Sequence, residues 1–128
     1  KECKAIAAVD GNEATAWVFK PSSKKRKLTI RLNIKDKIQT IQILACQKLR
    51  NGPAYFIPLR LLEVKINHKN TFPVIMESGA SSGILRLDEA MRIYHVEVRV
   101  LTMGAKPEEM TDSPGLAGIS EIYFYSLD

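Results

Sequence analysis

Cysteine, histidine and catalytic signatures are scarce in this sequence, and each scarcity narrows what the chain can do. Its 128 residues hold only two cysteines, Cys3 and Cys46, and two histidines, His68 and His95. No Cys-x-x-Cys pair exists and the histidines stand alone, so no zinc motif is present. The cysteine pair leaves two readings open, a disulfide or two buried thiols, because spacing does not fix the geometry that a disulfide requires. GxSxG, HExxH and a phosphate-cradling glycine loop are all missing. Glu108, Glu109 and Asp112 crowd one polar stretch without a catalytic partner. The expectation is a protein that is not an enzyme. No apolar run approaches the roughly 18–20 residues that a membrane span needs, and no secretory leader is visible. The abrupt opening at Lys1 reads as a mature or excised piece, so the missing leader does not decide the compartment. Internal repeats and low-complexity linkers are also lacking.

What remains is the composition of one globular domain, residues 1–128, expected to be excised from a larger protein. Residues counted as hydrophobic make up 45% of the chain and the formal net charge is +5. That charge is unevenly spread: residues 1–70 carry fifteen Lys or Arg against five acids, residues 71–128 four against nine. A molecule polarised in this way can prefer an anionic partner through its basic side. The densest run, Lys20-Pro21-Ser22-Ser23-Lys24-Lys25-Arg26-Lys27, reads either as a nuclear-import signal or as a solvated loop before a strand. Aromatic residues do not interleave with it, so the stacking platform of a single-strand nucleic-acid binder is absent and nucleic acid is not expected as a partner.

Alternating apolar residues predict strands along most of the chain. Leu28, Ile30 and Leu32 share one face, and Ile41, Ile43 and Ala45 share another on a strand from Ile38 to Cys46. Leu62, Val64 and Ile66 define a further strand closed by His68-Lys69-Asn70; Phe72 to Met76 and a short Ile84 to Leu87 follow. Tyr94, Val96, Val98 and Val100 are expected to face inward, with His95, Glu97, Arg99 and Leu101 opposite and His95 on a solvated edge. Ile122 and Phe124 face in on the last strand. Roughly eight short strands and no long helix predict an all-β sandwich, in jelly-roll or immunoglobulin-like order. Three connections stand out for their turn residues: 47–58, 78–83 and the long 102–117.

Asp10-Gly11-Asn12 is turn chemistry, and Asp10 and Thr15 bring side-chain oxygens onto one bent segment that ends at Trp17. Such a loop suits a hard cation such as Ca²⁺, and equally a plain polar turn before a buried tryptophan. It is not an EF-hand, because Ala14 stands where that loop needs an oxygen ligand and Thr15 where it needs glycine.

Together, AxxAVDGNxxTAW over residues 5–17 and GISEIYFY over residues 118–125 resemble the discoidin and coagulation-factor C-type domains. They also resemble related bacterial carbohydrate-binding modules of the galactose-binding-domain-like fold. The resemblance implies a jelly-roll β-sandwich of antiparallel strands, and a carbohydrate-binding module of a larger extracellular protein. The alternative within the same family is an adhesion domain that binds a protein partner or an anionic membrane surface. By resemblance the 47–58 connection lies at the recognition end: Tyr55 or Phe56 would stack on a sugar ring while Arg50 and Asn51 bond its hydroxyls. The partner is then a glycan or glycoprotein, bound by a monomeric domain. The resemblance also implies a structural Ca²⁺, with Asp10 and Glu121 giving carboxylate oxygens, Thr15 its hydroxyl, and main-chain carbonyls near Ala7 and Asn12 completing the shell. Beside the family pattern, the strand and loop that usually precede AxDGN are expected to be missing or trimmed, and the basic 20–27 segment is unusual.

Overall fold

The computed structural model describes residues 17–19, 26–32, 36–45, 57–76, 82–104 and 117–126, with only the backbone described at 17–19. Eight strands lie within these residues: β1 (Trp17–Phe19), β2 (Lys27–Arg31), β3 (Ile38–Ala45), β4 (Leu59–Ile66), β5 (Asn70–Ile75), β6 (Ser82–Met91), β7 (His95–Met103) and β8 (Ala117–Ser126). They form two four-stranded antiparallel sheets, ordered β1-β8-β3-β6 and β2-β7-β4-β5. Only β4 and β5 are consecutive neighbours in one sheet; every other connection carries the chain across to the opposite sheet. That alternation is the jelly-roll sandwich, and it removes the immunoglobulin-like order from consideration.

Period-two alternation explains why these segments are strands. In β4 and β7 the inward residues Leu62, Val64, Ile66, Val96, Val98 and Val100 are all buried, while Glu63, Lys65, Glu97 and Arg99 lie on the other face. Leu28, Ile30, Ile41 and Ile43 meet them from the other strands, as expected, and Leu32, Ala45 and Phe124 pack at the margin of this core.

Bulges repair the places where alternation fails. The ladder between β3 and β8 shifts at Ile38/Thr40 and at Leu44/Ala45, which leaves Gln39 and Ser120 as the extra residues. Each insertion flips the face, so that Ile38 and Ile41, and again Ile119 and Ile122, enter the core at a spacing of three. The Ser120 hydroxyl donates to the Leu44 carbonyl at 3.2 Å, and the Gln39 amide donates to the Leu87 carbonyl at 2.9 Å. Both extra residues are thus tied down through their side chains.

Four expectations need correction. The strand expected over Ile84–Leu87 is the ten-residue β6, because pairing with β3 extends it at both ends: Ser82 and Gly83 lie opposite Leu44 and Ile43, and Met91 opposite Ile38. The strand expected from Phe72 to Met76 begins earlier, at Asn70, and ends at Ile75. Tyr94 does not face the core: it precedes β7 and is 56% exposed. His95 is not a solvated edge residue but is 7% exposed, because the His68 ring stacks on it with centroids 3.7 Å apart.

The β4–β5 turn that carries His68 has positive φ at Asn67 (53°) and His68 (61°), and Lys69 N–H donates to the Ile66 carbonyl at 3.0 Å. Two left-handed residues in succession are the mark of the I′ class, whose twist suits a hairpin. Asparagine tolerates that conformation better than most residues. Here it also holds the hairpin tip against the β6–β7 corner. Its Nδ2 donates to the Arg92 carbonyl at 2.8 Å, and its Oδ1 accepts from Tyr94 N–H at 2.9 Å and His95 N–H at 3.2 Å.

Candidate functional site at the loop end of the sandwich

The antiparallel registers assign each connection to one end of the sandwich. The strand ends that flank residues 20–25, 46–56, 77–81 and 105–116 all lie at one end of the sandwich. The opposite end carries the shorter turns, 67–69 and 92–94, and the β2–β3 connection. Along β4 the two ends are separated by about 25 Å, at about 3.3 Å per residue.

At the loop end the bases of three connections are tied together. Pro58, which follows residues 46–56, accepts a hydrogen bond from Gly104 N–H at 2.8 Å, and Gly104 leads into 105–116. Met76, which leads into 77–81, donates its N–H to the Arg60 carbonyl at 2.8 Å. Arg60 is the extra residue of a bulge in β4, where the ladder with β7 shifts between Leu59 and Leu61. A second shift follows at Leu61/Leu62 and leaves Leu101 as the extra residue of β7, 40% exposed. Paired bulges of this kind bend strands and redirect side chains at the rim of a sandwich. Gly104 is required by close approach: a Cβ there would sit 2.9 Å from both Arg60 Nε and Pro58 Cγ. Gly83, at the far end of the 77–81 connection, is equally confined, since a Cβ would meet Met76 Sδ at 2.5 Å and Val74 Cγ1 at 2.8 Å. Buried Ile57 and Leu59 anchor the end of the 46–56 segment in the core.

Arg50, Asn51, Tyr55 and Phe56 fall in residues 46–56, outside the described residues, and so do Asp10, Asn12 and Thr15. The Trp17 side chain and both cysteines lie outside them as well. Glu121 is described: it sits opposite Leu44 in the ladder and is 2% exposed, although it belongs to the face of β8 turned away from Ile122. β1 pairs with β8 so that Trp17 faces Ile119, two residues from Glu121. Among the described residues no group of three or more metal-ligating side chains occurs. No described helix is long and apolar enough to cross a membrane.

The outer face of the second sheet carries a lattice of alternating charge. Lys27, Glu63, Lys65, Thr71, Glu97 and Arg99 surround a shallow depression of about 140 Å³. Glu63 is registered with Arg99, Lys65 with Glu97, and Lys27 Nζ lies 3.4 Å from Glu97 Oε1. Burial pushes the Glu97 carboxyl up, but the Lys27 hydrogen bond, with the charges of Lys27, His95 and Lys65, outweighs it and holds the group below its ordinary value. Three cations, Lys27, Lys65 and Arg99, alternate with two carboxylates, Glu63 and Glu97, so neighbouring charges largely offset one another. Lys27, the last residue of the basic run, is spent in this lattice.

Sequence reasoning missed the Asn67 clamp and the Arg60–Gly104 junction. The signal for the first was present, since Asn-His-Lys-Asn between two apolar runs is a hairpin turn with a residue suited to positive φ. The second depends on non-local approach and leaves no local signature.

No protein-family model and no curated protein matches the chain. Solved structures do. The family 32 carbohydrate-binding module of C. perfringens NanJ, in complex with galactose, matches with a TM-score of 0.66 and 19% identity, over 98% of this chain and 88% of that one. A CBM32 module produced by Clostridium perfringens, in complex with GlcNAc-alpha-1,4-galactose, matches with a TM-score of 0.63 and 14% identity, over 95% and 81% of the two chains. The F5/8 type C domain of a Bacteroides fragilis protein matches with a TM-score of 0.60 and 15% identity, over 95% and 80%. The fold is therefore the β-sandwich of CBM32 and F5/8 type C domains, the class to which the two terminal motifs point.

Proposed function

We propose that the chain is a non-catalytic carbohydrate-binding module of an extracellular protein, holding its glycan in the loops at one end of the sandwich. The observation that carries this reading is the tied base of that end, where Pro58, Arg60, Met76 and Gly104 link three connections. A rigid base under long loops suits recognition, because the scaffold holds the contact groups in place. In this reading Arg50 and Asn51 would donate to sugar hydroxyls, and Tyr55 or Phe56 would offer a flat surface to the apolar side of the ring. The galactose and GlcNAc-alpha-1,4-galactose bound by two of the similar modules make galactose-containing glycans the first ligands to try.

The test is a glycan array run beside sedimentation with anionic vesicles. Galactose-containing glycans are expected to bind, and the Arg50→Ala/Tyr55→Ala double variant is expected to lose that binding while melting as the wild type does. Binding left intact in the double variant, or binding to vesicles with no glycan retained, refutes the assignment; the second outcome favours a lipid-binding domain.

A structural Ca²⁺ belongs to the same proposal. A buried carboxylate on Glu121, two residues along from the β1 pairing, suits an oxygen-rich cation site. Asp10, Thr15 and main-chain oxygens near Ala7 and Asn12 would supply the remaining ligands, and the ion would pin the early segment to the last strand.

A further inference from the structure

The end of the sandwich opposite the candidate glycan loops carries a feature that sugar binding does not use, the stacked pair of His68 and His95. His95 sits at the start of β7 on the outer face of its sheet, where an unshielded side chain would be wet, yet only 7% of it is exposed. Its cover is the His68 ring at 3.7 Å, inclined by 27°. Beneath that cover His95 Nδ1 is buried and has no hydrogen-bond partner among the described residues. The groups facing His95 come from every strand around it. His68 approaches from the hairpin, Arg31 and Lys27 from β2, and Glu97 from β7 itself, with Lys65 of β4 registered against Glu97.

We propose that His68 is a proton-operated cover: it stacks on His95 while the His95 ring is neutral and swings into solvent when that ring takes up a proton. Three physical terms act in the same direction. A protonated His95 would bury a second ring N–H donor without an acceptor, and a buried unpaired polar group is costly. Two imidazolium rings at stacking distance repel, and Arg31 and Lys27 add to the positive field. Glu97 opposes this, but Lys27 already engages its carboxylate at 3.4 Å. Burial first, and then the His68 charge, hold the His95 ring below its ordinary pKa, which agrees with the closed state being the neutral one.

The turn itself need not move. Asn67 N–H donates to the His95 carbonyl at 2.8 Å, and the Asn67 side chain makes three further bonds to residues 92–95, none of which depends on the imidazoles. The cover therefore moves as a side chain on a fixed hairpin. Opening it would uncover a second imidazolium beside Arg31 and make this end of the sheet more basic as pH falls.

Exchange of each histidine ring Cε1–H with deuterated water, read residue by residue by mass spectrometry across the ordinary imidazole pKa of about 6.5, tests this. In the wild type at alkaline pH, His95 is expected to exchange several-fold more slowly than His68 and to titrate below that ordinary value. His68→Asn removes the ring but suits the positive φ of the turn, so it is expected to fold; His95 should then exchange several-fold faster and its midpoint should rise. His68→Phe keeps a cover without a second charge, and should keep His95 shielded at pH values where the wild-type ring has become accessible. The proposal is overturned if wild-type His95 exchanges as fast as His68 at alkaline pH, or if His68→Asn leaves its rate and midpoint unchanged.

Discussion

Asn67→Ala tests whether one side chain holds the hairpin end of the molecule together. The substitution deletes three hydrogen bonds, at 2.8, 2.9 and 3.2 Å, and leaves the Tyr94 and His95 N–H groups and the Arg92 carbonyl to find water. These bonds are partly solvated, so each belongs near the lower part of the usual net range, about 0.5–1 kcal/mol. Alanine must also adopt a φ of 53°, which costs an ordinary residue roughly 1–2 kcal/mol. The total is about 2.5–5 kcal/mol. For a domain of 128 residues this corresponds to a fall in Tm of roughly 9–19 °C. Two further variants separate the terms. Asn67→Gly loses the bonds but not the backbone fit, and should cost about 1 kcal/mol less than alanine. Asn67→Asp keeps the acceptor for Tyr94 and His95 and loses only the donor to Arg92, so it should cost least. Urea denaturation of the four proteins at neutral pH supplies the numbers. If alanine and glycine both melt within about 0.5 kcal/mol of the wild type, the ordinary scatter of surface substitutions, the clamp contributes nothing and the reasoning fails.

Gly83→Ala places a methyl group against the buried Met76 and Val74 side chains and is expected to destabilise by about 1–3 kcal/mol; Met76→Ala in the same chain should recover part of the loss, and strict additivity would refute the contact. Acidification should lower stability in two stages. His95 titrates below its ordinary value, so its contribution is complete above pH about 6.5 and is lost as pH falls through its folded pKa. Glu97 is likewise depressed, so its contribution is present above about pH 4.3 and disappears as pH falls through its own folded value. Lys27→Ala should weaken chiefly the second stage, by no more than about 1 kcal/mol because the Lys27 side chain is 46% exposed, and the His95 stage less, because Lys27 is the smallest of the charges acting on that ring; a pH profile of unfolding free energy that stays flat below neutrality contradicts both assignments. Millimolar Ca²⁺ should raise Tm relative to EDTA, with a stabilisation of about 2.7 kcal/mol at a hundredfold excess over Kd, and Asp10→Ala or Glu121→Ala should abolish the difference; identical melts in all conditions would remove the ion from the proposal.

The sequence by itself determined the class of fold and most of the core. Alternation in 28–32, 62–66 and 96–100 names inward residues that are inward in the structure, because one face of each strand must leave water and period two leaves no choice of face. The two terminal motifs pointed to the sandwich family that the solved structures then matched. Alternation could not choose between jelly-roll and immunoglobulin-like order, since both bury the same faces. That choice rests on pairings such as β3 with β8, where Ile38 meets Ser126 across most of the chain.

Three things were decided only in the tertiary structure. β6 reached ten residues because β3 supplied partners for Ser82, Gly83 and Met91, beyond its apolar stretch. Ile119 and Ile122 share the core at a spacing of three because Ser120 bulges out of the pairing, and that depends on what lies opposite. His95 reads as an exposed strand residue and is buried by a histidine from another hairpin, held there by Asn67. Local pattern reports which residues must avoid water, whereas which partner covers them is fixed by contacts between segments far apart in sequence.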